Sequence, residues 1–135
     1  MKSPKIVWSA GLTIGAIVVV VVLKMTLLGS YPWWLLWVAV INLVTACAFV
    51  IDKEIAVRVA DRPPAERGRA RIPEFALLWL SLIGGTVGAL VAMLGRRHKT
   101  MDREFLLRYG MIVVLHALAV GFGVAYMVFA GGGEG

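Results

Sequence analysis

From Ile6 to Leu23 the chain carries no charged residue. An apolar run of that length reads as a helix built to cross a lipid bilayer. Three further blocks follow, so four hydrophobic segments are expected at about residues 6–28, 32–51, 73–95 and 104–130 of the 135-residue chain. Hydrophobic residues make up 60% of it and the mean hydropathy is +0.85, which a water-soluble domain of this size rarely reaches. The expected fold is a single all-α integral membrane domain over residues 1–135, a small bundle of four segments ending in a flexible tail at 131–135. Met1 to Lys5 ahead of the first run resembles a secretory signal. The run is long for a cleaved signal core and no small-x-small site closes it, so a retained anchor is the better reading.

The net charge is +6 and the pI about 10.0. Most of the 14 basic residues sit in loops beside apolar segments. There they orient the chain and meet anionic lipid headgroups. That reading is preferred to nucleic-acid binding, for which no RNA-binding aromatic signature or zinc knuckle speaks. Cys47, the only cysteine, lies inside an apolar block. An intrachain disulfide and a multi-cysteine metal site are thereby excluded, and neither a metal nor a cofactor is expected.

Individual residues mark the segments. In the first, Gly11 and Gly15 form a G-x-x-x-G that permits close helix packing, and Lys24 can reach up to the headgroups. Gly29 to Pro32 reads as a tight turn, and Tyr31, Trp33, Trp34 and Trp37 as an interfacial aromatic belt. Asn42 is expected to make an interhelical hydrogen bond. The loop from Asp52 to Arg71 holds six basic residues, and Arg62-Pro63-Pro64 breaks any long helix there. Its first part, Asp52 to Val59, can continue the second segment as a short interfacial helix. Pro73 and Glu74 read as the start of the third segment, and Thr100 as the N-cap of the fourth, with Asp102 and Glu104 in its first turn. His116 falls mid-membrane, where a histidine is a functional candidate by default. Donation to a backbone carbonyl or to Asn42 is the commoner role, ahead of haem ligation or proton transfer.

The third segment allows two topologies. At about 1.5 Å per residue, residues 73–95 reach about 34 Å, enough for a hydrocarbon core of about 30 Å. Gly84-Gly85-Thr86-Val87-Gly88 holds a second G-x-x-x-G that suits a packed, spanning helix. The basic residues pull the other way. A span with the N-terminus inside puts Lys2, Lys5 and the six loop residues inside, against Arg96, Arg97, Lys99, Arg103 and Arg108 outside, a weak bias for a membrane protein. A break at Gly84-Gly85 that turns the chain back puts every basic residue except Lys24 on one side. Such a break needs its freed backbone groups buried in protein. The length argument is given slightly the greater weight, and a span is expected.

The polar residues flanking the segments form a recognisable series: Asp52-Lys53, then Arg71-Ile72-Pro73-Glu74, then Gly84-Gly85 and Gly88, then Arg97-His98-Lys99-Thr100 and Phe105. With Asn42 and Ala56 ahead of them, these residues resemble a bacterial membrane family known as domain of unknown function 1294, over about Asn42 to Phe105. The stretch between Ala56 and Arg71 is longer than the family's usual pattern, and an extra hydrophobic segment precedes Asn42. The resemblance implies a multi-pass protein of a bacterial inner membrane and no particular activity. Some family members resemble fusions with a cold-shock domain that binds single-stranded nucleic acid. That domain is absent here, so nucleic-acid binding does not carry over.

The chemistry of the series defines a candidate polar site: Asp52, Lys53, Arg71, Glu74, Arg97, His98, Lys99 and Thr100. His98 can shuttle protons, Asp52 or Glu74 can act as its base, and the cations can hold a phosphate. Interfacial ion pairing among the same residues is the plainer account, and no nucleophilic serine or cysteine stands beside His98. Three function classes follow. The leading one is an accessory or structural subunit that packs through its glycine faces on a membrane partner or a second copy. The others are a module that binds anionic lipid or phosphate headgroups, or an enzyme acting on them, and a small oligomeric transporter or channel.

Overall fold

A computed structural model describes residues 4–96 and 102–131. Among the described residues every regular element is helical. Helix α1 spans Pro4–Thr26, α2 Trp33–Arg58, α3 Pro64–Ala70, α4 Glu74–Leu80, α5 Thr86–Arg96 and α6 Arg103–Gly131. A π-type turn, Ser81–Gly85, joins α4 to α5. Among the described residues four stretches are long and apolar enough to cross a membrane: Lys5–Thr26, Trp33–Arg58, Pro64–Gly95 and Arg103–Gly131. The fold is that of an all-α membrane protein, and its third segment is bent.

The boundaries follow from local chemistry. Lys24 in the last turn of α1 folds back, donating to the carbonyls of Tyr31 and, at 2.6 Å, of Gly29. Its ammonium also lies 5.6 Å from the Trp33 ring. A cation near a helix C-terminus meets the helix's exposed carbonyls and their negative partial charge. Pro32 precedes α2 with an extended backbone. Helix α2 runs unbroken to Arg58, so the expected interfacial stretch after Asp52 is its last two turns. Past Pro63 the loop forms the short helix α3, with Pro64 at its first position, where the missing N–H costs nothing. Pro73 stands just before α4 rather than inside it. Helix α6 begins at Arg103, and its cap is Asp102, whose Oδ1 accepts from the Phe105 N–H at 3.1 Å. Thr100, expected in that role, lies outside the described residues.

The core forms where α2 meets α1 and the bent segment. Ile41, Ala48 and Phe49 of α2 are buried with Ala76, Leu77 and Leu80 of α4 and with Ala89, Ala92 and Met93 of α5. Phe105 of α6 packs edge-on against Phe49, with ring centroids 6.0 Å apart. Two glycines set how closely α5 approaches α2. A Cβ on Gly88 would lie 2.0 Å from the Asn42 carbonyl oxygen, and one on Gly85 only 1.9 Å from Thr45 Oγ1. Gly11 and Gly15 differ: nothing lies within 4 Å of a Cβ placed there, so their G-x-x-x-G packs on no other described element.

Gly88→Ala is therefore expected to lower stability by about 3 kcal/mol, the cost of overpacking a site whose neighbour is backbone. Gly95, in the same helix, has open space at its Cβ, so Gly95→Ala should be neutral or stabilising by up to about 1 kcal/mol. Thermal unfolding of the two variants in one detergent checks the contrast.

Candidate functional site

The backbone breaks at Gly84, whose φ of 123° and ψ of −4° lie in a region open to glycine and strained for other residues. A broken helix frees carbonyls on one side and N–H groups on the other. Asn42 meets both. Its Nδ2 donates to the Gly84 carbonyl at 2.9 Å and to the Val38 carbonyl at 2.8 Å, and its Oδ1 accepts from the Gly88 N–H at 2.6 Å. Gly88 is the third residue of α5, so Asn42 caps that helix from a neighbouring one. Trp37 adds a second donor, from Nε1 to the Ile83 carbonyl at 3.0 Å. Trp37 was expected in the aromatic belt; it is instead half-buried against the break, while Trp33 and Trp34 are exposed. Asn42 makes the interhelical bond the sequence leads one to expect, to backbone rather than to a side chain.

Around the break lies a small polar group. Thr86 Oγ1 donates to the Ser81 carbonyl at 2.9 Å, and Tyr109 Oη donates to the Thr86 carbonyl at 2.7 Å. His116 Nδ1 lies 3.1 Å from Thr86 Oγ1 and 3.0 Å from the Ile112 carbonyl. A carbonyl only accepts, and the Thr86 proton is committed to Ser81. Nδ1 is therefore the protonated nitrogen and donates to both oxygens. His116 thus bonds a carbonyl as expected, and Thr86 rather than Asn42 is its other partner.

A second polar cluster stands where α2 ends and α4 begins. Asp52 is fully buried and accepts from Arg71 Nη2 at 2.9 Å, from Arg71 Nε at 3.4 Å, and from the Ile72 N–H at 3.1 Å. The carboxylate thereby fixes the chain where the basic loop rejoins the membrane domain. Lys53 is half-buried beside it, and Glu74 is exposed on the first turn of α4. Arg97, His98, Lys99 and Thr100 lie outside the described residues. Of the expected site, the structure joins Asp52 to Arg71. Glu74 lines a cleft with Lys5 and Arg108, neither of which the sequence singled out as a site residue. Arg108 pairs with Glu104, one turn earlier on α6, at 3.5 Å. No group of three or more His, Cys, Asp or Glu side chains able to hold a metal occurs among the described residues.

Helix α6 touches this body along its first half, through Phe105, Tyr109 and His116. Phe105 and Tyr109 are its buried residues, and every residue from Ala117 to Gly131 is exposed. Ala117, Gly121 and Ala125 recur every four residues along this free part.

Residues 42–105, just under half of the chain, match the family described as "Protein of unknown function (DUF1294)". That is the family the polar series resembles, over the same residues. The matched stretch holds Asn42, the glycine break, and the Asp52–Arg71 pair. No curated protein and no solved structure matches the chain.

Asp52→Ala should destabilise the protein by about 3 kcal/mol, because it leaves the buried Ile72 N–H and the Arg71 guanidinium without their acceptor. A double-mutant cycle with Arg71→Ala should give a coupling of at least about 1 kcal/mol, read as shifts in the unfolding midpoint.

Proposed function

We propose that the third segment enters the bilayer and returns to the face it came from, with α4 and α5 as the arms of a half-depth hairpin. Its support is the register of contacts along α2. Ile72, ahead of α4, is held at Asp52; the break at Ile83 and Gly84 meets Trp37 and Asn42; Gly88 lies on Asn42 again; and Phe105, early in α6, meets Phe49. Ten residues of α2 separate Asp52 from Asn42, about 15 Å of helix, or half of a hydrocarbon core of about 30 Å. A straight helix of the same length would carry the start of α6 to the Trp33 end of α2. The return also gathers the basic residues on one face, as the charge rule favours. In a bacterial inner membrane that face is the cytoplasmic one.

On this frame we infer that the protein acts as an accessory membrane subunit. Helices α1 and α2 and the hairpin form a self-packed body, and α6 is offered to another transmembrane helix. The observation that carries this reading is the free half of α6, with Ala117, Gly121 and Ala125 spaced for close helix approach. Gly84, Gly85 and Gly88 do not serve a partner in this account, because α2 of the same chain occupies their faces.

Gly121 has nothing within 4 Å of an added Cβ, so Gly121→Leu should leave the monomer intact. It should reduce recovery of a co-purifying membrane partner, or of a differently tagged second copy, by about 5-fold, equivalent to roughly 1 kcal/mol of association. Unchanged recovery of both would overturn the accessory reading.

A further inference from the structure

The cleft lined by Lys5, Glu74 and Arg108 belongs to neither the hairpin lock nor the free half of α6. It has a volume of about 530 Å³, within the range of small-molecule sites. Its polar residues come from the first turns of α1 and α4 and from the second turn of α6. Three helix starts at one level place them at a membrane–water interface. Below them Phe75, Trp79 and Leu82 descend along α4 and the π turn. Phe75 and Trp79 stack with centroids 6.5 Å apart, and all three remain exposed on the outer surface. The cleft therefore has two cations against the one Glu74 carboxylate at its mouth, and an apolar wall.

We propose that this cleft binds one anionic phospholipid, with the headgroup phosphate between Lys5 and Arg108 and an acyl chain along Phe75, Trp79 and Leu82. Charge complementarity selects the occupant. Among the described residues Lys5 has no carboxylate within ion-pair distance, and Arg108 holds Glu104 only through an exposed contact at 3.5 Å. Two cations over an apolar wall match a phosphate carried on a hydrocarbon chain. Their own aliphatic stems can lie along the wall while the charges stay at the headgroup level. Free phosphate would use the cations and leave the wall uncovered, so the lipid is the ligand that uses both.

The test is native mass spectrometry of the full chain released from nanodiscs of equimolar phosphatidylglycerol and phosphatidylcholine. The expected result is one retained phosphatidylglycerol, in at least about 5-fold excess over phosphatidylcholine, roughly 1 kcal/mol of preference. Lys5→Gln with Arg108→Gln should bring the ratio close to one. Leu82→Trp, which fills the wall and keeps both cations, should lower retention of both lipids. If the double variant does not fold, Lys5→Gln alone, at an exposed first-turn position, reads out the same ratio. Equal retention of the two lipids by the unaltered protein, or an unchanged ratio in the cation variant, overturns the proposal.

Discussion

The structure depends on one carboxamide. Inside a bilayer no water is present to satisfy a broken helix, so each freed carbonyl and N–H must find a protein partner. Asn42 offers donors and an acceptor from a single planar group, and the break at Gly84 uses both. An aspartate would lack the donors and a leucine would lack everything, leaving a carbonyl and an N–H unpaired at about 1–3 kcal/mol each. The remaining features serve this contact. Gly88 and Gly85 have no Cβ because α2 backbone and Thr45 stand where one would go, and Trp37 secures the adjacent carbonyl.

A second lock holds the base of the same unit. Asp52 ties Arg71 and the Ile72 backbone to the end of α2, so the basic loop closes on a fixed point. Residues first considered for catalysis or phosphate binding thus include two that organise the chain. The matched family stretch, 42–105, begins with the first lock and also contains the second. We read it as a structural unit: a bent segment held at its tip by Asn42 and at its foot by Asp52. Helix α1 packs against it, and α6 leaves it after His116.

Much of this was legible in the sequence. Apolar length announced four hydrophobic segments, because bilayer thickness sets that length, and four stretches able to cross a membrane are present among the described residues. Asn42 declared itself as the polar residue in an apolar helix, and Lys24 as the cation that must reach an interface. The path of the third segment was not legible, because Gly84-Gly85-Thr86-Val87-Gly88 reads the same in a straight packed helix as in a broken one. What separates the two is contact with residues more than forty positions away, Trp37 and Asn42, which no local pattern reveals. Trp37 was assigned to the belt for the same reason, since an interfacial tryptophan and one donating to a distant carbonyl have the same neighbours in sequence. Helix α3 was missed because Pro63-Pro64 signals a break, while Pro64 in fact opens a new helix.

The proposed hairpin is the central claim, and cysteine accessibility tests it most directly. In a Cys47→Ala background, single cysteines replace Ala65 in the basic loop, Arg103 at the start of α6, and Ser30 between α1 and α2. An impermeant maleimide is then added to intact cells and, separately, to lysed ones. The account predicts that Ser30→Cys reacts in intact cells, whereas Ala65→Cys and Arg103→Cys react only after lysis. If Arg103→Cys instead reacts in intact cells along with Ser30→Cys while Ala65→Cys stays protected, the third segment crosses the membrane and the hairpin is wrong.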